Sequence, residues 1–557
     1  MIEPISFKPV SFEPVSFELI STWLEDCTKN HKLCRSEFPP KLPMRVIDVL
    51  SRDDPLLLET DGGRGDYFAL SYCWGKQRNI DMMTFGPKSK GKRGQPDPKP
   101  NIEAHKARIP FSSMPKTLQD AVIISRRLGV KYLWIDALCI IQGDDEEWEK
   151  EHPKMADIYA NAKLVIAADN ADGLEKGFLN RKVTMARPEE GGLQRIIPQA
   201  QKQHNLERSG TRKTSPMCSS PLSWNEPLNK RAWSLSEVIF ANRIVHFTSS
   251  VMVWECNEFR HCESGCSHIF QENDDDSFRL FRNILIANQS TKAELYHKWD
   301  TVVEHFTRRQ INSQPEEKYK DPQRLVAISR AARRFSQILE EVLQYEDEYL
   351  AGVWKGNLTR SLLWSVEKGL QQYLAIRWRR PEAPRAPTWS WAAVEGPVFF
   401  EPLVNFQPAI HVKEATVKQC DSDDQFGQVI SGKLVVQGKA LHKLKIQLED
   451  HAYLDHVTGH RCRICSPRFD EGCLFTCDAP LSEANTHQEF SCLYLGNGEH
   501  EGDIQRETGL YYAILLLRPV AGATQVFERV GISSHCIRND GGSTLLDTMI
   551  EDLITII

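Results

Sequence analysis

Between residues 67 and 168 the chain alternates strand-length apolar runs with amphipathic stretches, and this alternation constrains its fold more than any other feature. Tyr67-Phe68-Ala69-Leu70-Ser71-Tyr72 reads as a strand that ends at Trp74-Gly75. A helix follows, because Leu118, Ala121, Val122, Ser125 and Leu128 recur on one face. Thr117 and Asp120 stand at capping-box-like spacing, and Gly129 stops the helix. Tyr132 to Ile141 is a nearly continuous apolar run, expected for a strand covered on both faces. A second helix is expected from Asp145 to Ala160 and a strand from Lys163 to Ala168. Strand, helix, strand, helix, strand with short links describes an α/β domain with a parallel sheet, whose binding crevice lies beyond the carboxyl ends of the strands. That rule points to the loops after Tyr72 and Ile141.

The flanks are less regular. A short repeat, PISFK, PVSFE, PVSFE, opens the chain as an extended arm, followed by a helical stretch from Leu19 to Cys34 and a strand from Met44 to Val49. Residues 86–100 read as a solvated loop, and 181–223 as a long polar insertion before the domain resumes at Arg231. Tyr296, Trp299, Val302, Val303 and Phe306 have helical spacing within a region, 290–370, expected to be helical. From Pro387 onward, segments such as Lys433 to Gly438 and Tyr511 to Leu517 look like strands between turns. The expected division is 1–64 as N-terminal arm and flank, 65–250 as the α/β domain, 251–385 as a helical region and 386–557 as a β-rich C-terminal domain.

Composition bounds the partners. Hydrophobic residues at 41%, with 13 Trp and 24 Phe, supply several cores, while a net charge of −6 gives no basic field for a phosphate backbone, so no nucleic acid is expected. No run reaches the roughly 18 apolar residues of a membrane span. The start of the chain lacks the basic and apolar segments of a secretory signal, and the odd set of 15 cysteines reads as reduced thiols, so a cytoplasmic location is expected. Neither a P-loop nor a GxGxxG after a strand is present.

Three segments together carry a family resemblance: Ala69-Leu70-Ser71-Tyr72-Cys73-Trp74-Gly75; Leu133-Trp134-Ile135-Asp136-Ala137-Leu138-Cys139-Ile140-Ile141-Gln142 with Glu151, Met155, Ile158 and Tyr159 downstream; and Arg231-Ala232-Trp233-Ser234-Leu235-Ser236-Glu237. In this order they resemble the heterokaryon-incompatibility (HET) domain of filamentous fungi. Trp23, Cys27, His31 and Cys34 upstream, and Tyr349 to Trp354 and Pro387 to Ala392 downstream, look like the usual flanks of such proteins. Ser236 stands where the family pattern has Gln. The resemblance implies a flavodoxin/TIR-like parallel sheet with insertions, and an effector or regulator of non-self-triggered programmed cell death. Its partners would be other incompatibility proteins, or further copies through self-association of the HET domain. By analogy with NAD-cleaving TIR domains it also implies NAD as a substrate, with no cofactor required; a non-enzymatic adaptor is the third reading. The crevice residues it implies are Ser71, Tyr72, Trp74, Gly75, Gln142, Arg231, Trp233 and Glu237.

Each chemical role has a structural alternative. Trp148 lies three residues before Glu151 and Met155 four after it, which puts Glu151 beside an apolar stripe and partly desolvates it. In an NAD-cleaving reading Glu151 hydrogen-bonds the nicotinamide ribose and stabilises the oxocarbenium-like transition state. Alternatively it pairs with Arg126 or Arg127. Asp136 interrupts the expected strand, either as a ligand-facing carboxylate or as an acceptor for backbone or Arg231. Cys139 would need His152 as base to act as a nucleophile, and otherwise fills the core. Arg231 could receive a phosphate, or pair with Glu237. Cys462, Cys465, Cys473 and Cys477, with His456 and His460 just upstream, have the look of a structural zinc site with an unusually short gap between pairs, and a second set comprises Cys256, His261, Cys262 and Cys266.

Overall fold

The computed structural model describes residues 15–34, 39–75, 82–91, 96–180, 226–263, 267–269, 291–309, 323–366, 379–381, 383–448, 461–464, 474–482, 485, 487–500, 511–537, 546 and 548–557. The chain divides into two compact units, residues 1–229 with 240–273, and residues 230–239 with 274–557.

In the first unit helix α1 (Phe17–Asn30) precedes strands β1 (Arg45–Asp48), β2 (Leu56–Glu59) and β3 (Tyr67–Ser71). Helices α2 (Ile102–Ala107) and α3 (Lys116–Arg127) lead to β4 (Tyr132–Trp134), and α4 (Asp136–Cys139), α5 (Asp145–Glu151) and α6 (Met155–Asn161) lead to β5 (Leu164–Ala167). The remaining strands are β6 (Arg243–Phe247), β7 (Met252–Cys256), β8 (Phe259–Cys262) and β9 (Ser267–Ile269). Among the described residues these make one mixed sheet in the order β2-β1-β4-β3-β5-β6-β7-β8-β9. Its centre, β4-β3-β5-β6, is parallel throughout, and antiparallel strands extend it on both sides. Taken in chain order, the four parallel strands run second, first, third, fourth, the order of a flavodoxin-type doubly wound sheet. All five residues of β3 and all four of β5 are buried, as expected of strands covered on both faces. Helix α6 is keyed to β3 and β4: the Tyr67 hydroxyl donates to the Ile158 carbonyl at 2.6 Å, and Tyr159 packs edge-on against Trp134 at 5.5 Å.

Three local expectations need correction. The run Tyr132 to Ile141 is not one strand, because β4 ends at Trp134 and the chain turns at Ile135 into α4. A buried apolar run has the same composition in either conformation, and polar anchors decide it here. Arg45 Nη1 donates to the Cys139 carbonyl at 3.0 Å, and the Thr84 hydroxyl to the Leu138 carbonyl at 2.7 Å. The helix expected from Asp145 to Ala160 is broken by a 3₁₀ turn at His152–Lys154, where Pro153 has no N–H to give the ladder. Thr117 and Asp120 do not cap α3, whose N-cap is Pro115. The Thr117 hydroxyl donates instead to the Gly173 carbonyl at 2.9 Å, while Asp120 accepts from the Phe178 and Leu179 amides at 2.8 and 3.1 Å. Both side chains thus hold the loop that follows β5.

In the second unit, α7 (Ala232–Phe240, grouped here through Ile239) is joined by α8 (Lys292–Thr307), which begins with a capping box between Thr291 and Glu294, and α9 (Gln323–Leu343). The long helices stop at Leu343, short of the expected 370; beyond it the described residues hold the 3₁₀ turn Lys355–Asn357 and the single helical turn Leu358–Ser361, with short strand pairs at Tyr349–Leu350 with Val353–Trp354 and at Trp364–Val366 with Val398–Phe400. The two downstream flanking segments meet at Gly352, whose carbonyl accepts from Trp299 Nε1 at 3.1 Å and Trp391 Nε1 at 2.9 Å. Ten described strands between Leu403 and Ile556 form the β-rich C-terminal sheet, with Lys433 to Gly438 and Tyr511 to Leu517 inside two of them. The expected insertion at 181–223 lies outside the described residues.

Candidate functional site

In a doubly wound sheet the crevice opens where the strand order reverses, here between β3 and β5 at their carboxyl ends. The floor is closed by backbone: the Ala168 amide donates to the Ser71 carbonyl at 2.9 Å, and Ser71 is fully buried. Above it the chain leaving β3 meets the chain leaving β4. The Tyr72 hydroxyl donates to Asp136 Oδ1 at 2.8 Å, Trp74 Nε1 to Oδ2 at 3.0 Å, and the Ala137 amide to Oδ1 at 2.7 Å. Gln142 closes the arrangement from below, its amide donating to the Asp136 and Ile140 carbonyls at 3.2 and 3.0 Å. Asp136 is therefore not a carboxylate inside a strand but the half-buried first residue of α4, fixed through both oxygens. Gly75 has φ +79°, and a Cβ there would lie 2.8 Å from Gly173 Cα, so the loops after β3 and β5 cross backbone to backbone. Tyr72, Trp74, Gly75, Asp136 and Gln142 are thus brought together, with a rigid acceptor and an indole face at the crevice.

Sequence reasoning missed the charge chain beside it. Asp169, fully buried just beyond β5, has Oδ2 3.0 Å from His246 Nδ1. His246 Nε2 lies 4.0 Å from Glu255, which accepts from Arg260 Nε at 2.7 Å. The available signal was an acid directly following the apolar run of β5.

Glu151 sits elsewhere. It is 2% exposed and accepts from Lys154 Nζ at 2.8 Å, not from Arg126 or Arg127; Arg126 donates to backbone carbonyls at Val49, Arg52 and Asp53, and Arg127 lies over the Phe17 ring. Trp148 is 44% exposed while Glu151 and Met155 are buried, so of the expected stripe Met155 is covered and Trp148 is not. Glu151 lines a cleft of about 640 Å³ with Lys41, Thr60, Asp61, Tyr67, Lys154 and Asp157. Tyr67 is the first residue of β3, so this cleft opens toward the amino ends of the parallel strands, and its lining contains none of Ser71, Tyr72, Trp74, Gly75, Asp136 or Gln142. This cleft and the topological crevice are therefore different places. Burial pushes the Cys139 thiol up to about 12, which keeps it protonated and inert at neutral pH; the side chain of His152 lies outside the described residues.

Arg231, Trp233 and Glu237 belong to the segment that groups with the second unit. Within that unit Arg309 Nη1 donates to the Arg231 carbonyl at 3.4 Å and to the Ser234 hydroxyl at 3.2 Å, and the Arg330 guanidinium lies 5.7 Å from the Trp233 ring centre. Ser236 donates to the Trp233 carbonyl at 3.0 Å and accepts from Arg330 at 3.5 Å, so a hydroxyl does local work where the family pattern has an amide. Glu237 is buried.

Of the expected zinc residues, Cys462 and Cys477 are buried with their sulfurs 3.6 Å apart among Phe475, Phe490 and Cys492, while Cys465, Cys473, His456 and His460 lie outside the described residues. A different cluster could bind a metal such as zinc: Cys27, His31, Cys34 and Cys256 are all buried, with ligand atoms within 4.8 Å of one another. Of the second expected set only Cys256 takes part; His261 stacks on Trp23 instead, and Cys266 lies outside the described residues.

A mixed sheet whose parallel centre has flavodoxin order, with a polar crevice at its switch point, defines an α/β module. Residues 67–237 match the family model described as Heterokaryon incompatibility protein (HET), so the chain carries a HET domain over that span. Neither a curated protein nor a solved structure matches the chain. Among the described residues no helix is long and apolar enough to cross a membrane.

Proposed function

We propose that the chain is an effector or regulator of non-self-triggered programmed cell death in a filamentous fungus, acting in the cytoplasm through the module at 65–250. Its partners in this reading are other incompatibility proteins or further copies of the module. The observation that carries the proposal is the meeting of the first two HET segments at one carboxylate, with Tyr72 and Trp74 of the first holding Asp136 of the second. The test is inducible expression of the full chain in a filamentous fungus, with viability scored against protein abundance. Wild type is expected to kill, and Asp136→Ala at equal abundance is not. A harmless wild type, or an equally lethal Asp136→Ala, overturns the proposal.

A second reading has its own support. A buried Glu151 in a cleft of about 640 Å³ lined also by Lys41, Lys154, Glu59, Asp61 and Asp157 offers carboxylates to ribose hydroxyls and two lysines to a phosphate, as a ligand such as NAD requires, and the volume is within the usual range for a small-molecule site. Here the carboxylate stabilises the cationic ribose as nicotinamide leaves. NAD content measured in the same cultures separates the readings. A fall in NAD that Glu151→Gln abolishes favours cleavage. Death at unchanged NAD with either version favours an adaptor that works by self-association.

A further inference from the structure

The last turn of α1 and the 3₁₀ turn at Lys32–Cys34 bring Cys27, His31 and Cys34 to one side of the chain. The end of β7 supplies Cys256 opposite them, with its Sγ 3.2 Å from His31 Nδ1. All four ligand atoms lie within 4.8 Å of one another and all four residues are at most 5% exposed. Tetrahedral zinc with bonds of about 2.3 Å to sulfur and 2.0–2.1 Å to nitrogen holds its ligand atoms about 3.5–3.8 Å apart, so the cluster closes on an ion with adjustments of about an ångström or less.

Two further observations point to a cation with thiolate ligands. His31 turns its other nitrogen, Nε2, toward a carboxylate oxygen of Asp26 at 3.4 Å, the partner a metal-bound imidazole ordinarily has for its remaining N–H. Arg243, 7% exposed, directs Nε at Cys27 Sγ at 3.2 Å and Nη2 at the Cys34 carbonyl, and among the described residues no carboxylate lies within ion-pair distance of it. A buried guanidinium without a carboxylate is costly unless something nearby is anionic. Three neutral thiols and an imidazole offer no such charge. A divalent ion with three thiolates and a neutral imidazole carries a net −1, which Arg243 balances.

We propose that Cys27, His31, Cys34 and Cys256 form a structural zinc site that fastens α1 to the antiparallel flank of the sheet. On loading, the three thiols release three protons and zinc forms three bonds to sulfur and one to His31 Nδ1. Four protein ligands leave no position open, so the site holds the fold and performs no hydrolysis. The fastening lies beside the packing of Trp23 on Trp254, with ring centres 6.3 Å apart, so ion and apolar contact anchor the same helix.

The test is metal analysis of the purified full-length chain by inductively coupled plasma mass spectrometry. The expected result is one zinc per chain that survives desalting and is released when an organomercurial titrates the thiols. Cys256→Ser is expected to lose the zinc and Cys477→Ser to keep it. Asp26→Asn retains all four ligands and is expected to weaken zinc about 10- to 100-fold in chelator competition. Because the wild-type measurement needs no variant, misfolding of Cys256→Ser leaves the proposal testable. A folded wild type that neither contains zinc nor takes it up when reduced, a disulfide between any two of the three cysteines in freshly isolated chain, or undiminished zinc in a folded Cys256→Ser overturns it.

Discussion

The Tyr72 hydroxyl donates to Oδ1 of Asp136 at 2.8 Å, which ties the exit of β3 to the first residue of α4 at the exit of β4. Asp136→Ala removes the acceptor for both this hydroxyl and Trp74 Nε1, and is expected to cost about 1–3 kcal/mol in urea unfolding. Tyr72→Phe should cost about 1 kcal/mol, because Asp136 keeps the Trp74 and Ala137 donors. In a double-mutant cycle the pair should show a coupling of about 0.5 kcal/mol or more. Strict additivity would mean that the bond contributes nothing in solution.

Backbone crossing makes a second expectation. Gly75→Ala places a Cβ 2.8 Å from Gly173 Cα at a residue with φ +79°, so both strain and collision oppose it. Gly129 has a similar φ of +69° but open space around it. Gly129→Ala should therefore cost only the left-handed strain, about 1 kcal/mol, and Gly75→Ala distinctly more, about 2–4 kcal/mol. Equal costs in thermal or urea unfolding would show that the loop after β5 yields freely.

The alternation over residues 67–168 made the parallel centre of the sheet legible, because doubly covered strands must be apolar throughout and their crossovers must be amphipathic. What stayed hidden depends on partners distant in sequence. The step from β4 into α4 is fixed by Arg45 and Thr84, and nothing within Tyr132 to Ile141 marks it. Pro153 does mark the break between α5 and α6, and its lost N–H was readable as such. Topology pointed to the loops after Tyr72 and Ile141, whereas β4 ends at Trp134 and the polar side chains gather at Asp136; Glu151, the expected catalytic carboxylate, lines a cleft at the other end of the strands. The metal cluster was beyond reach for a plainer reason: 225 positions separate His31 from Cys256, and local spacing supplies only three of the four ligands.

His105 gives the first unit a pH dependence. The Thr84 hydroxyl already donates to the Leu138 carbonyl, so His105 Nδ1–H must donate to Thr84 Oγ1, 2.9 Å away, and the ring is neutral with Nε2 as acceptor. Burial holds the imidazole below its ordinary 6.5. A depressed folded value means that the unfolded chain takes up a proton as pH falls through 6.5 while the folded chain does not. The contribution is complete above pH 6.5 and is lost progressively below it, at up to about 1.4 kcal/mol per pH unit, until the folded value is reached. His105→Gln should unfold with a shallower loss of stability between pH 6.5 and 5.5 than wild type. Parallel slopes would show that His105 is charged in the fold.

Glu151 tests whether its cleft does chemistry, provided the substitution leaves the fold intact. The partner Lys154 is 53% exposed at its side chain and regains water when the ion pair is lost, so solvent screening discounts the pair to well under about 1 kcal/mol. Gln has nearly the shape of Glu and still offers Lys154 an oxygen, so Glu151→Gln should unfold within about 1 kcal/mol of wild type. Glu151→Leu removes every polar atom and exposes the cleft wall as apolar, and it serves as the structural comparison. If toxicity disappears in Glu151→Gln while its unfolding midpoint is unchanged, the carboxylate itself is required, which a packing role does not explain. If Gln and Leu both retain toxicity, the cleft is not where this chain acts, and attention moves to Asp136 at the opposite ends of the strands.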